Sequence, residues 1–82
     1  MAKVHQHRPE LRAKVREYLD LVPAGRRATL PMIVDGVNAL LRIDQRKASD
    51  REIQSVLGWL IDRTEVEVRT SEETEQQEYR LR

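Results

Sequence analysis

The chain predicts an α+β domain in which three helices are followed by a β-hairpin. Three observations carry this expectation. Apolar residues recur at three- and four-residue steps over residues 11–22, 30–41 and 53–61. Short segments holding proline, glycine or polar residues separate those stretches. Near residue 64 the apolar period shortens from 3.6 to 2, the change expected where helix gives way to strand.

Pro9 suits the opening turn of the first helix, about 9–21, where a missing N–H leaves no hydrogen bond unmade. Leu11, Val15, Tyr18, Leu19 and Val22 form its apolar stripe, and Pro23-Ala24-Gly25 ends it. Residues 1–8 carry neither period and are expected to form a flexible tail. Residues 26–30 read as a short extended connector, with Thr29 as N-cap and Pro31 in the first turn of a second helix, about 30–42. Its stripe is Leu30, Ile33, Val34, Val37, Leu40 and Leu41. Gly36 inside it costs about 1 kcal/mol relative to alanine, so packing against the rest of the protein has to hold this helix.

Residues 42–48 interrupt the pattern as a polar loop. Ser49-Asp50-Arg51-Glu52 is a capping box, in which the serine hydroxyl and the glutamate three residues later each satisfy a backbone N–H of the other. It opens a third helix, about 49–63, with Ile53, Val56, Leu57, Leu60 and Ile61 on its apolar face. In the hairpin, about 65–82, Val66 and Val68 alternate with charged residues, Thr70 to Glu75 is turn-like, and Gln77, Tyr79 and Leu81 alternate again.

Length and composition narrow the classes of function. At 82 residues this is one small domain over residues 9–82, of a size that gains buried area by forming a homodimer. Cysteine is absent, which removes disulfides, thiolate zinc sites and thiol nucleophiles. No apolar run approaches the roughly 20 residues of a membrane span, and the first residues lack the apolar core of a secretory signal, so a cytoplasmic location is expected. Two histidines, His5 and His7, are too few for a metal site. No glycine-rich phosphate loop or nucleophile-and-base arrangement appears, so neither enzymatic activity nor a cofactor is expected. The net charge is +1, but residues 1–27 hold seven basic groups against three acidic, while residues 64–82 hold six glutamates against three arginines. A polyanion therefore favours the first third and is repelled by most of the last.

The order of elements, with Thr29-Leu30-Pro31 opening one helix, Ser49-Asp50-Arg51-Glu52 the next, and Val56-Leu57-Gly58-Trp59-Leu60 running into Val66-Glu67-Val68, resembles the winged helix-turn-helix superfamily over residues 9–82. The resemblance implies that the third helix is a recognition helix, the hairpin a wing, and double-stranded DNA the partner, with a role in transcription regulation. The loop before the third helix is longer than the simplest turn of such motifs, and the wing is acidic where DNA-binding wings are usually basic.

On the third helix Arg51, Ser55, Gly58 and Asp62 lie opposite the apolar stripe, flanked by Gln54 and Trp59. Arginine and glutamine read guanine and adenine edges, so Arg51, Gln54 and Ser55 are the expected base contacts. Arg26, Arg27, Arg46, Lys47 and Ser49 are the expected phosphate contacts. Trp59 either packs under the hairpin or anchors a partner. A protein-interaction module using the acidic wing and Trp59 is the competing expectation. Arg8, Arg12 and Arg16 step by four along the first helix as a basic ridge, read as a solvated face or a second anionic contact.

Overall fold

The computed structural model describes residues 7–23 and 25–82. In chain order its elements are α1 (Glu10–Leu21), β1 (Ala28–Thr29), α2 (Leu30–Leu40), α3 (Asp50–Asp62), β2 (Val66–Thr70) and β3 (Gln77–Leu81). The three expected helices and the hairpin are all present. Helix α2 ends two residues before the expected boundary, because Leu41 leaves the helix at ψ 145° while its side chain stays in the core.

The sheet has a third strand where the sequence predicts only an extended connector. Strand β1 pairs antiparallel with β3, setting Ala28 against Tyr79, so the order is β1-β3-β2. The connector extends alongside the free edge of β3, and its backbone groups are satisfied there. Thr29 is the N-cap residue of α2 as expected, but its side chain makes no cap hydrogen bond; it already belongs to the strand.

One core joins the helices to the inner face of the sheet. It holds Leu11, Val15 and Leu19 from α1, Ile33, Val34 and Val37 from α2, Ile53, Val56, Leu57 and Leu60 from α3, and Val66 and Tyr79 from the sheet. They are drawn from the predicted stripes, of which Tyr18, Val22, Leu30, Leu40 and Ile61 are only half-buried, while Val68 of the alternating hairpin is exposed where β2 runs past the helices. Gly36 lies beneath the Tyr18 ring: a Cβ there would come within 2.1 Å of Tyr18 Cε1. Removing a side chain at position 36 is therefore what lets α1 and α2 approach, and this contact offsets the poor helix propensity of glycine.

Helix α3 turns into the sheet through a Schellman ending. The Thr64 N–H donates to the Ile61 carbonyl and the Glu65 N–H to the Leu60 carbonyl, with Thr64 at φ +60°. A β-branched residue is an unusual occupant of that left-handed position.

Candidate nucleic-acid interface

Helix α3 is held firmly at its start. The Ser49 Oγ accepts from the Glu52 N–H at 3.2 Å, half of the predicted capping box. The other half is replaced. The Glu52 carboxylate accepts from the Arg8 backbone N–H (3.2 Å), from Arg8 Nε (3.0 Å) and from a terminal guanidinium nitrogen (3.2 Å). Before the helix, Asn38 brackets Ala48: its side-chain NH2 donates to the Ala48 carbonyl, and its Oδ1 accepts from the Ala48 N–H. Lys47 Nζ donates to the Asn38 carbonyl.

Of the eventual candidates, Arg46, Lys47, Ser49, Arg51, Gln54 and Ser55 fall together on this loop and the first half of α3. Arg51 and Gln54 are exposed, and neither Arg51 nor Arg46 has an ion-pair partner among the described residues. Gln54 opens on a cleft of about 190 Å³ that also holds Thr29, Leu30, Pro31, Gln76, Gln77 and Tyr79. Ser55 is half-buried, and its Oγ lies 3.0 Å from His7 Nδ1. Arg12 Nε donates to His7 Nε2, so that nitrogen is the acceptor and Nδ1 carries the hydrogen donated to Ser55.

Arg26 and Arg27 lie elsewhere, lining a groove with Tyr18, Leu21, Val22, Pro23 and Met32 at the α1–α2 corner. Arg27 also pairs with Glu67 on the outer face of the sheet at 3.7 Å. The N-terminus of α3 already holds Asp50 and Glu52 in its first turn, and Ser49 has engaged one of its N–H groups. These two carboxylates meet the positive end of the helix dipole and weaken Ser49 as a phosphate contact.

Trp59 is half-buried against the core and is covered from two sides, by His7 and Arg12 from the N-terminal segment and by Arg63 from the end of α3. The Arg12 guanidinium lies 3.9 Å and that of Arg63 4.7 Å from its ring centroid, with the His7 ring edge-on at 6.2 Å. A partner using Trp59 has to displace these groups. The same contacts revise the ends of two expectations. Of the eight residues assigned to the tail, residues 1–6, with His5, lie outside the described residues, but His7 and Arg8 dock on α3. The Arg8–Arg12–Arg16 ridge is a seam at Arg8 and Arg12, which meet Glu52 and Trp59, while Arg16 stays exposed and pairs with Glu65 at 3.0 Å. The step of four was visible in the sequence; its acceptors, more than 40 residues away, were not.

The hairpin's acidity is localised. On its strands Glu67 faces Arg80 and Arg69 faces Glu78 across the register, and these pairs are in contact. Arg80 holds the Glu67 carboxyl below the usual carboxylate range, with Arg27 and Arg82 adding to the effect; Arg63 and Arg16 do the same for Glu65. The hairpin acids without an ion pair among the described residues are Glu72, Glu73 and Glu75, in the turn between β2 and β3.

The Arg8 hydrogen bonds also hold the Glu52 carboxyl below the usual range, against the opposing effect of desolvation. A carboxyl lowered in this way binds fewer protons folded than unfolded. Its contribution is complete above the ordinary carboxylate pKa and fades as pH falls through the folded value. Glu52→Gln is expected to cost about 1–2 kcal/mol at neutral pH. Urea unfolding as a function of pH checks this: the gap from wild type should close in acid, and a gap that stays constant refutes the ionic account.

Compared with protein-family models, curated proteins and solved structures, the chain matches none. Among the described residues no helix is long and apolar enough to cross a membrane, and no group of three or more histidine, cysteine or acidic side chains is placed to hold a metal.

Proposed function

We propose that the chain is a small winged-helix DNA-binding protein that presents α3 to the major groove of duplex DNA. The observation that carries the reading is the pair Arg51 and Gln54, both exposed on the outward side of a helix whose start is fixed by Ser49, Asn38 and the Arg8–Glu52 pair. A long side chain reads a base edge only if its backbone is held still, and this one is. Arg46, which has no ion pair among the described residues, and Lys47 flank the helix start as phosphate contacts; Arg26 and Arg27 contribute only where DNA extends to the α1–α2 corner. In this reading the hairpin is the wing, and the Gln54 cleft beside it receives the edge of the groove.

Binding to random duplex DNA should weaken as salt rises, with log K falling linearly against log salt. Replacing Arg46 and Lys47 together by alanine should shallow that slope by about two phosphate contacts. Arg51→Ala should lose about 1–3 kcal/mol of discrimination at one base pair, read by competition among single-base variants of a selected site. Absence of binding even at low salt ends the proposal.

One observation favours a second reading, an interaction module for a basic protein: Glu72, Glu73 and Glu75 at the turn have no ion pair among the described residues and repel phosphate. Reversing these three charges to lysine separates the two. Stronger DNA binding places the turn beside DNA, whereas lost capture of a basic protein partner with DNA affinity unchanged places it against protein.

A further inference from the structure

Strand β2 is an edge of the sheet, and only one of its sides is used. The order β1-β3-β2 leaves no strand beyond it among the described residues. The Arg82 N–H donates to the Glu65 carbonyl and the Ser71 N–H to the Gln76 carbonyl, so the odd-numbered residues of this ladder bond to β3. The N–H and C=O of Val66, Val68 and Thr70 therefore point the other way, along the open edge. Val68, on the same face as Val66, is 37% exposed there.

We propose that a second copy of the chain covers this edge, β2 pairing antiparallel with β2 about a two-fold axis at Val68. The two three-stranded sheets then become one. Val68 meets Val68, exchanging both backbone hydrogen bonds, and Val66 of each copy meets Thr70 of the other. Charge selects this register. On the outer face Glu67 lies opposite the second copy's Arg69, so each rung across the joined sheet alternates in sign: Arg80 and Glu67, then Arg69 and Glu78 of the second copy. Moving the axis one residue either way sets Glu67 against Glu67 or Arg69 against Arg69. The surrounding charges agree. Arg82 and Glu65 come level with the uncharged Ser71 and Gln76 of the second copy. The turn acids Glu72, Glu73 and Glu75 of one copy pass the base of the other's hairpin, where Arg16, Arg63 and Arg82 outnumber Glu65 and Asp62. A parallel pairing would instead bring the two acidic turns together.

The proposal stands apart from DNA binding, and its test contains no DNA. In sedimentation of the full chain at concentrations up to about 1 mM, wild type should dimerise weakly and go no further, since so short an edge falls at the small end of specific interfaces. Val68→Pro removes an N–H that faces away from β3, so it should fold normally by circular dichroism and weaken the dimer roughly 10-fold or more. Arg69→Glu makes both charged rungs repulsive and should weaken it roughly 10-fold, less at high salt. The chain has no cysteine of its own, so a single introduced one reports the register. Oxidised Val68→Cys should cross-link as a dimer, whereas Thr70→Cys, about 14 Å from its counterpart, should not. Wild type that stays monomeric overturns the proposal and leaves the edge to an extended segment of another protein. Equal cross-linking at both positions, or a dimer indifferent to Val68→Pro and Arg69→Glu, overturns it too.

Discussion

Leu60→Ala is expected to destabilise the protein by roughly 2–5 kcal/mol, a large part of the roughly 4–12 kcal/mol that a chain of this length ordinarily holds. Leu60 is wholly buried in the last turn of α3, in the cluster that includes Val66 at the start of β2. Its carbonyl also accepts the Glu65 N–H that turns the chain toward the sheet. Removing three carbons there leaves a cavity lined by both layers, and the backbone pinned at Glu65 restricts collapse into it. Leu21→Ala, the same substitution at an exposed position of α1, should change stability by no more than about 0.5 kcal/mol. Urea unfolding followed by circular dichroism distinguishes the two, and similar midpoints for both variants would disprove the placement of the core.

Gly36→Ala should destabilise the protein although alanine is the better helix former. The added Cβ would sit 2.1–2.8 Å from three atoms of the Tyr18 ring. The half-buried ring has to swing outward, losing its packing across α2, at an expected net cost of roughly 1–3 kcal/mol. With Tyr18→Ala in the background the obstacle is gone, and the same Gly36→Ala change should stabilise by about 1 kcal/mol. A double-mutant cycle reads this reversal of sign directly. If the glycine substitution has the same sign in both backgrounds, the close approach of α1 and α2 does not rest on this pair.

How much of this was legible before the structure depended on whether the information was local. The stripes Leu11–Val15–Leu19 and Ile53–Val56–Leu57–Leu60 declare their buried faces through spacing alone, and all seven residues are core. The Ser49 cap was legible for the same reason. Strand β1 was not: two residues show no alternation, and only the proximity of β3 makes them a strand. The sequence also marks Gly36 as a helix liability without naming Tyr18, since which ring overlies it depends on how α1 crosses α2. Glu52 illustrates the same limit within the candidate interface. Its spacing from Ser49 predicts a local cap, but the tertiary fold brings Arg8 close enough to take both carboxylate oxygens. Exposure of Arg51 followed from the wheel; engagement of Ser55 by His7 and cover of Trp59 by Arg12 required the N-terminal segment to be placed in space.

The strand encoded last is the one at the centre of the sheet, flanked by β1 on one side and β2 on the other. During synthesis, then, β1 and β2 have nothing to bind until residues 77–81 clear the ribosome tunnel, about 50 positions after Ala28 was added. The helices can gather earlier, but Ala28 and Val66 stay wet until that final segment slots between their strands. The sheet therefore forms in a single event once β3 is available, and a transcript truncated before Gln77 encodes a polypeptide with two strand edges open to aggregation.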